Sequence, residues 1–176
     1  MHSHGRYLQG YNGQATVGAG QIVLACGVTN SSADSPSLHP MLTQTRANLD
    51  AAGIGERIRA LLGDSGYGGH HNLSQPTDEI LLIGTSTGRK QADTEPPHHP
   101  AVQKMAARLA TPAGKRLYRR RAARIEPVFG QIKNRLGEHI PFRGLPAAAA
   151  EWNLVCTSHN LLKYWCHRLQ PAPATV

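Results

Sequence analysis

The period of the apolar positions changes along the chain. Tyr11-Asn12-Gly13-Gln14-Ala15-Thr16-Val17 and Gln21-Ile22-Val23-Leu24-Ala25-Cys26-Gly27-Val28-Thr29 flank the turn Gly18-Ala19-Gly20, and the alternation predicts a β-hairpin within 7–30. Ile22, Leu24, Cys26 and Val28 share one face of its second strand, while Ala25 and Gly27 leave the other face low enough to lie under a helix. From Ser35-Pro36 the period becomes helical, with Leu38, Met41, Leu42, Thr45 and Leu49 on one stripe and Gly53 as the stop. Residues 57–64 read as a short strand delivering Asp64 into the glycine-rich turn Ser65-Gly66-Tyr67-Gly68-Gly69, and Glu79–Ile83 reads as a second buried strand. Residues 84–100, rich in Gly and Pro, read as loop. The remainder is helical: a segment carrying Val102, Met105, Ala106 and Leu109, a longer helix from about Ala113 to Leu136 closed by Gly137, and a last one from about Ala147 to Arg168. The longer helix has Ile125, Val128, Phe129, Ile132 and Leu136 on one stripe. The last presents Trp152, Val155, His159 and Leu162, with Leu154, Leu161 and Trp165 alongside, and both tryptophans read as core anchors. This order of elements is α/β.

Length allows one domain, taken as 1–168 with 169–176 as a frayed tail. Lys and Arg total 19 against 11 Asp and Glu, a formal charge of +8, which favours an anionic partner such as nucleic acid, although a basic protein without that role has the same composition. Cys26, Cys156 and Cys166 form no C-x-x-C pair, which argues against a disulfide framework or zinc ribbon and for a reduced, cytoplasmic chain. No apolar run approaches the ~20 residues of a membrane span, and no apolar stretch follows Met1, so secretion and membrane insertion are disfavoured.

Two acids stand apart. Asp64 falls where an apolar strand meets a glycine turn, the place where α/β sheets present functional side chains, though a turn-forming aspartate reads the same way. Glu126 lies beside a basic window of Lys115, Arg116, Arg119, Arg120, Arg121 and Arg124. Helical spacing surrounds it with Ala122, Ala123 and Gly130, and puts Arg119 and Lys133 ~10 Å away on either side along the axis. That clearing suits an anionic polymer crossing the helix, whereas a solvated glutamate balancing arginines is the plain alternative. Pro127 removes a backbone donor next to the acid and predicts a kink or bulge. His70-His71 and His98-His99 lack zinc-ligand spacing, and His159 on an apolar stripe reads as a packed histidine.

Five blocks in order carry a resemblance. They are Gly10-Tyr11-Asn12-Gly13-Gln14-Ala15, Val28-Thr29-Asn30 before Leu38-His39-Pro40-Met41-Leu42, Asp64-Ser65-Gly66-Tyr67 with Asn72-Leu73, residues 124–133 around Glu126, and Glu151-Trp152-Asn153 with His159-Asn160-Leu161-Leu162-Lys163. Over roughly residues 7 to 166 the chain resembles the catalytic domain of bacterial insertion-sequence DDE transposases, of the IS4/IS5-like kind. The resemblance implies a ribonuclease-H-like mixed sheet flanked by helices, and a triad of two aspartates and a glutamate holding Mg²⁺ or Mn²⁺ for phosphodiester cleavage and strand transfer. Asp64 corresponds to the second aspartate and Glu126 to the glutamate. Tyr118, Arg121, Glu126 and Lys133 match the family's Tyr-Arg-Glu-Lys signature, with Arg119 and Arg124 as further DNA contacts. In the family the first aspartate precedes the Gly-Tyr-Asn block, yet the first acid here is Asp34, in a loop with no evident ligand geometry. The expectation is therefore a truncated domain lacking its first strand, inactive alone in DNA transposition. Its partners would be transposon-end DNA and a second or full-length transposase, in the nucleoid. The alternative is a non-catalytic DNA-binding or regulatory remnant.

Overall fold

The computed structural model describes residues 10–85, 99–136 and 143–169, and the backbone of two short strands, β1 (His2–Ser3) and β2 (Arg6–Tyr7). His98, Gly137, the tail from 170 and most of the 84–100 loop lie outside the described residues. The chain forms two compact units: a hairpin unit of residues 1–30 with 124–176, and an inserted unit of residues 31–123.

In the hairpin unit β3 (Asn12–Val17) pairs antiparallel with β4 (Val23–Thr29), with an irregularity at Thr16/Val17. The connecting 3-10 turn puts Gly20 and Gln21 at φ 64° and 62°. A glutamine rarely adopts that backbone, and neighbours on α5 (Arg120–Leu136) and α6 (Leu145–Leu169) hold it. The His159 ring meets Gln21 O at 2.9 Å, while Gln131 Nε2 and Lys163 Nζ donate to Gln21 Oε1 at 3.0 and 2.6 Å. The Asn160 amide then grips both polar backbone groups of Val23, at 2.8 and 2.7 Å. Val23, Val128, Ile132, Trp152 and Cys156 form the core, with Cys26, Val28 and Phe129 packed against it. Trp152 closes the lid over Gly13 and donates from Nε1 to Gln14 O at 2.9 Å.

Several expectations change here. Val23 and Ala25 are the most deeply buried residues of β4, so burial is not confined to the Ile22–Val28 face. Trp152 anchors the core, but Trp165 is 60% exposed, as are Leu154 and Leu161 to a similar degree, because the helix turns that stripe outward. α5 continues on both sides of Pro127, which stands inside it.

In the inserted unit α1 (Leu38–Ala51) follows a 3-10 turn at Ser35–Ser37 and ends before Gly53, whose φ is 68°. β5 (Ala60–Gly63), shorter than the sequence suggests, pairs parallel with β6 (Ile80–Ile83) through α2 (His70–Ser74). α3 (Pro100–Ala110) lies on this pair. Leu38, Leu81, Ile83 and Met105 form the core, with Leu61, Tyr67, Leu73 and Leu109 around it. Arg46 forks onto the buried Glu79, with its Nε at 2.8 Å from Oε1. Burial pushes the Glu79 carboxyl up, but the Arg46 hydrogen bonds and charge prevail and hold it below its ordinary value.

The helix expected over 113–136 is divided into α4 (Pro112–Tyr118) and α5 by Arg119 alone, which keeps helical φ and ψ of −57° and −25° and donates from its backbone N to Lys115 O at 3.1 Å. α4 is capped by Thr111, whose Oγ1 accepts from Gly114 N at 3.0 Å. The fold is mixed α/β, but the described strands form three separate two-stranded sheets rather than one mixed sheet, since no described strand bridges the β3–β4 hairpin and the β5–β6 pair.

Candidate functional site

Asp64 follows β5 and starts a 3-10 turn, its Oδ1 accepting from Gly66 N at 2.9 Å. The side chain stays exposed. This follows from the local sequence: Gly63 continues the ladder by accepting from Gly84 N at 3.0 Å, while the Asp-Ser-Gly run lets the carboxylate cap its own turn.

Asp34 arrives at the same turn. Its Oδ2 and the Asp64 Oδ1 lie 2.7 and 3.1 Å from the position that a Cβ on Gly66 would take, so only glycine leaves both carboxylates room. Read from the sequence, Asp34 lay in a loop without ligand geometry; the structure puts its carboxylate at the Asp64 turn. The cause is Asn72, 3% exposed, whose Nδ2 donates to Ser35 O and Oγ at 2.8 and 3.1 Å and to Tyr67 O at 3.0 Å, tying the Asp34 loop to the Asp64 turn. Asn72 was visible in the sequence only as part of a motif block. Burial, with the negative charges of Asp34 and Asp64, raises the Tyr67 hydroxyl pKa well above its usual value.

Asp64 opens into a groove of about 830 Å³ within the inserted unit. It is lined by the strand ends, Asp64 with Ser65, Gly84 and Thr85, and by the basic side chains Lys115, Arg116, Arg119 and Arg121 with Tyr118 among them. The Tyr118 hydroxyl lies 2.6 Å from where a Gly84 Cβ would stand, and the Arg121 guanidinium sits 5.7 Å from the Tyr118 ring centre. Tyr118, Arg119 and Arg121 thus meet Asp64 in one groove. Glu126, Arg124 and Lys133 are exposed on the part of α5 that belongs to the hairpin unit.

One family model, for the transposase DDE domain, matches residues 1–161. The chain belongs to the transposase DDE domain family. No curated protein and no solved structure matches it. DDE transposases typically use divalent metal, and the carboxylates at the Asp64 turn are the hard oxygen donors that Mg²⁺ and Mn²⁺ accept. Among the described residues no group of three or more His, Cys, Asp or Glu side chains gathers to hold an ion, and the turn brings two carboxylates, Asp34 and Asp64, to one glycine. The His70 and His99 rings lie 4.8 Å apart without a third such ligand. No described helix is long and apolar enough to cross a membrane.

Proposed function

We propose that this transposase-family chain is a ribonuclease-H-like catalytic-domain piece of the insertion-sequence kind, which binds DNA along the basic groove and presents Asp64 to the phosphodiester. The observation that carries this reading is the strand-end carboxylate of Asp64 sharing one groove with Lys115, Arg116 and Arg119. Those cations hold the phosphate backbone by charge without reading sequence. Tyr118 offers a ring face and a hydroxyl between them, and the Arg121 stack fixes that ring.

By their places in the family's motifs Asp64 and Glu126 correspond to two carboxylates of the triad, the family's metal ligands, and Arg124 and Lys133 on α5 correspond to its DNA contacts. When bound, the ion supplies charge neutralisation at the attacked phosphate and a more acidic water. The chain's own residues bind and orient: the basic side chains place the backbone, and the Gly66 amide orients the Asp64 carboxylate. Residues 1–33 contain no acid, so the first aspartate of the triad is not among them, and transposition requires a third carboxylate beyond Asp64 and Glu126. The proposed behaviour is therefore DNA binding in the nucleoid, alone or joined to a full-length transposase, without strand transfer by this chain alone.

The test incubates purified protein with end-bearing duplex DNA and Mg²⁺ or Mn²⁺. Salt-sensitive binding without nicking supports the reading. Metal-dependent nicking lost in Asp64→Asn and Glu126→Gln would keep the site and overturn the inactivity; absence of DNA binding at 50 mM salt overturns the whole proposal.

A further inference from the structure

The hairpin unit holds two thiols that the transposase reading does not use. Cys26, on β4 opposite Ala15, is half-buried, and its S–H donates to Asn153 Oδ1 at 3.0 Å on the solvent-exposed side of α6. One helical turn beyond Asn153 lies Cys156, 3% exposed and part of the core cluster against which Cys26 packs. The two thiols meet in this cluster: the Cys156 side chain lowers the Cys26 pKa against the opposing effect of burial, and the same pairing together with burial raises that of Cys156. Both are free thiols.

We propose that Cys26 and Cys156 are a peroxide-reactive pair, in which the half-exposed Cys26 is oxidised first and the buried Cys156 resolves it into a disulfide that staples β4 to α6. The Cys26 thiolate attacks one oxygen of hydrogen peroxide; the O–O bond breaks, a sulfenic acid forms at Cys26, and the other oxygen leaves as water after protonation. The Cys156 sulfur then attacks the sulfenic sulfur, the S–O bond breaks, and the hydroxyl leaves with the Cys156 proton as a second water. Two thiols are oxidised and one peroxide is reduced to two waters. The asymmetry fits the chemistry: the first thiol needs thiolate character and access, and the second needs only reach. Cys166 is exposed further along α6, ~15 Å of helical rise beyond Cys156, and so cannot substitute as the resolving thiol.

The cross-link would close a long loop of chain, the case in which the unfolded state is most restricted, so the melting temperature should rise by roughly 5 to 10 °C. The experiment treats folded Cys166→Ser protein with stoichiometric hydrogen peroxide, then measures free thiols after denaturation, non-reducing peptide maps and melting temperature. The expected result is joint loss of both thiols, one peptide pair linking Cys26 to Cys156, and a higher melting temperature that dithiothreitol reverses. In unsubstituted protein Cys26 should react with peroxide faster than Cys166. The proposal is overturned if both thiols survive, if they reach sulfinic acid without cross-linking, or if Cys166 reacts first. Because Cys166 is exposed, its serine variant keeps the fold, and the thiol count reads the pair directly.

Discussion

Replacing Arg116 and Arg119 together by glutamine removes two of the four cations that line the groove beside Asp64. If all four meet phosphates of duplex DNA, the slope of log affinity against log salt is about −3.6, from ~0.9 per phosphate neutralised. Raising salt from 50 to 200 mM then weakens the unsubstituted chain roughly 150-fold, and the double variant, with a slope near −1.8, only about 12-fold. Fluorescence anisotropy with a labelled duplex at several salt concentrations reads both slopes. Arg57 and Arg59 are exposed in the same unit but do not line the groove, and their double glutamine variant carries the same change in net charge. A groove contact shortens the slope in the first variant and leaves the second near that of the parent. Equal slopes in the two variants mean that net charge alone attracts the DNA, and the groove argument fails.

Gly114→Ala places a methyl 2.1 Å from the Arg108 carbonyl oxygen and 2.9 Å from Thr111 Oγ1. Helix propensity would gain up to about 1 kcal/mol, but the backbone clash outweighs it, and urea unfolding should show a net loss of about 1–3 kcal/mol. Trp152→Ala removes a core ring that is 7% exposed and should cost about 3–5 kcal/mol by the same measurement, whereas Trp165→Ala, at a 60% exposed ring, should fall within about 0.5 kcal/mol. A larger loss at Trp165 than at Trp152 would contradict the packing of α6. The Glu79 carboxyl titrates below its unfolded value of about 4.3, so the Arg46 pair stabilises the fold above that pH and the benefit disappears as pH falls through the folded value. Urea midpoints measured from pH 6 downward should fall less steeply in Glu79→Gln, and an unchanged fall would show that other carboxylates set the acid limit.

The last motif block shows why a motif is not a site. His159, Asn160 and Lys163 grip the turn at Gln21–Val23, so this stretch holds the hairpin. Asn72 is the reverse: an unremarkable polar letter in the chain becomes the clamp that carries Asp34 to Asp64. Sequence shows residue type and spacing, and neither discloses a partner 37 residues away.

The sequence by itself determined the hairpin, two short strands and the placement of Asp64 at a strand end, because alternation, helical spacing and turn chemistry are local, and its motif blocks carried the family; that the two short strands pair in parallel came from the fold. It could not determine that Trp165 faces outward, or that four basic side chains line the groove that holds Asp64. Those depend on which surfaces the chain buries against each other: Tyr118 fits over Gly84, α6 docks its Trp152 side on the hairpin, and α4 is turned by its cap at Thr111. Burial is settled between residues distant in the chain, and only the folded molecule brings them together.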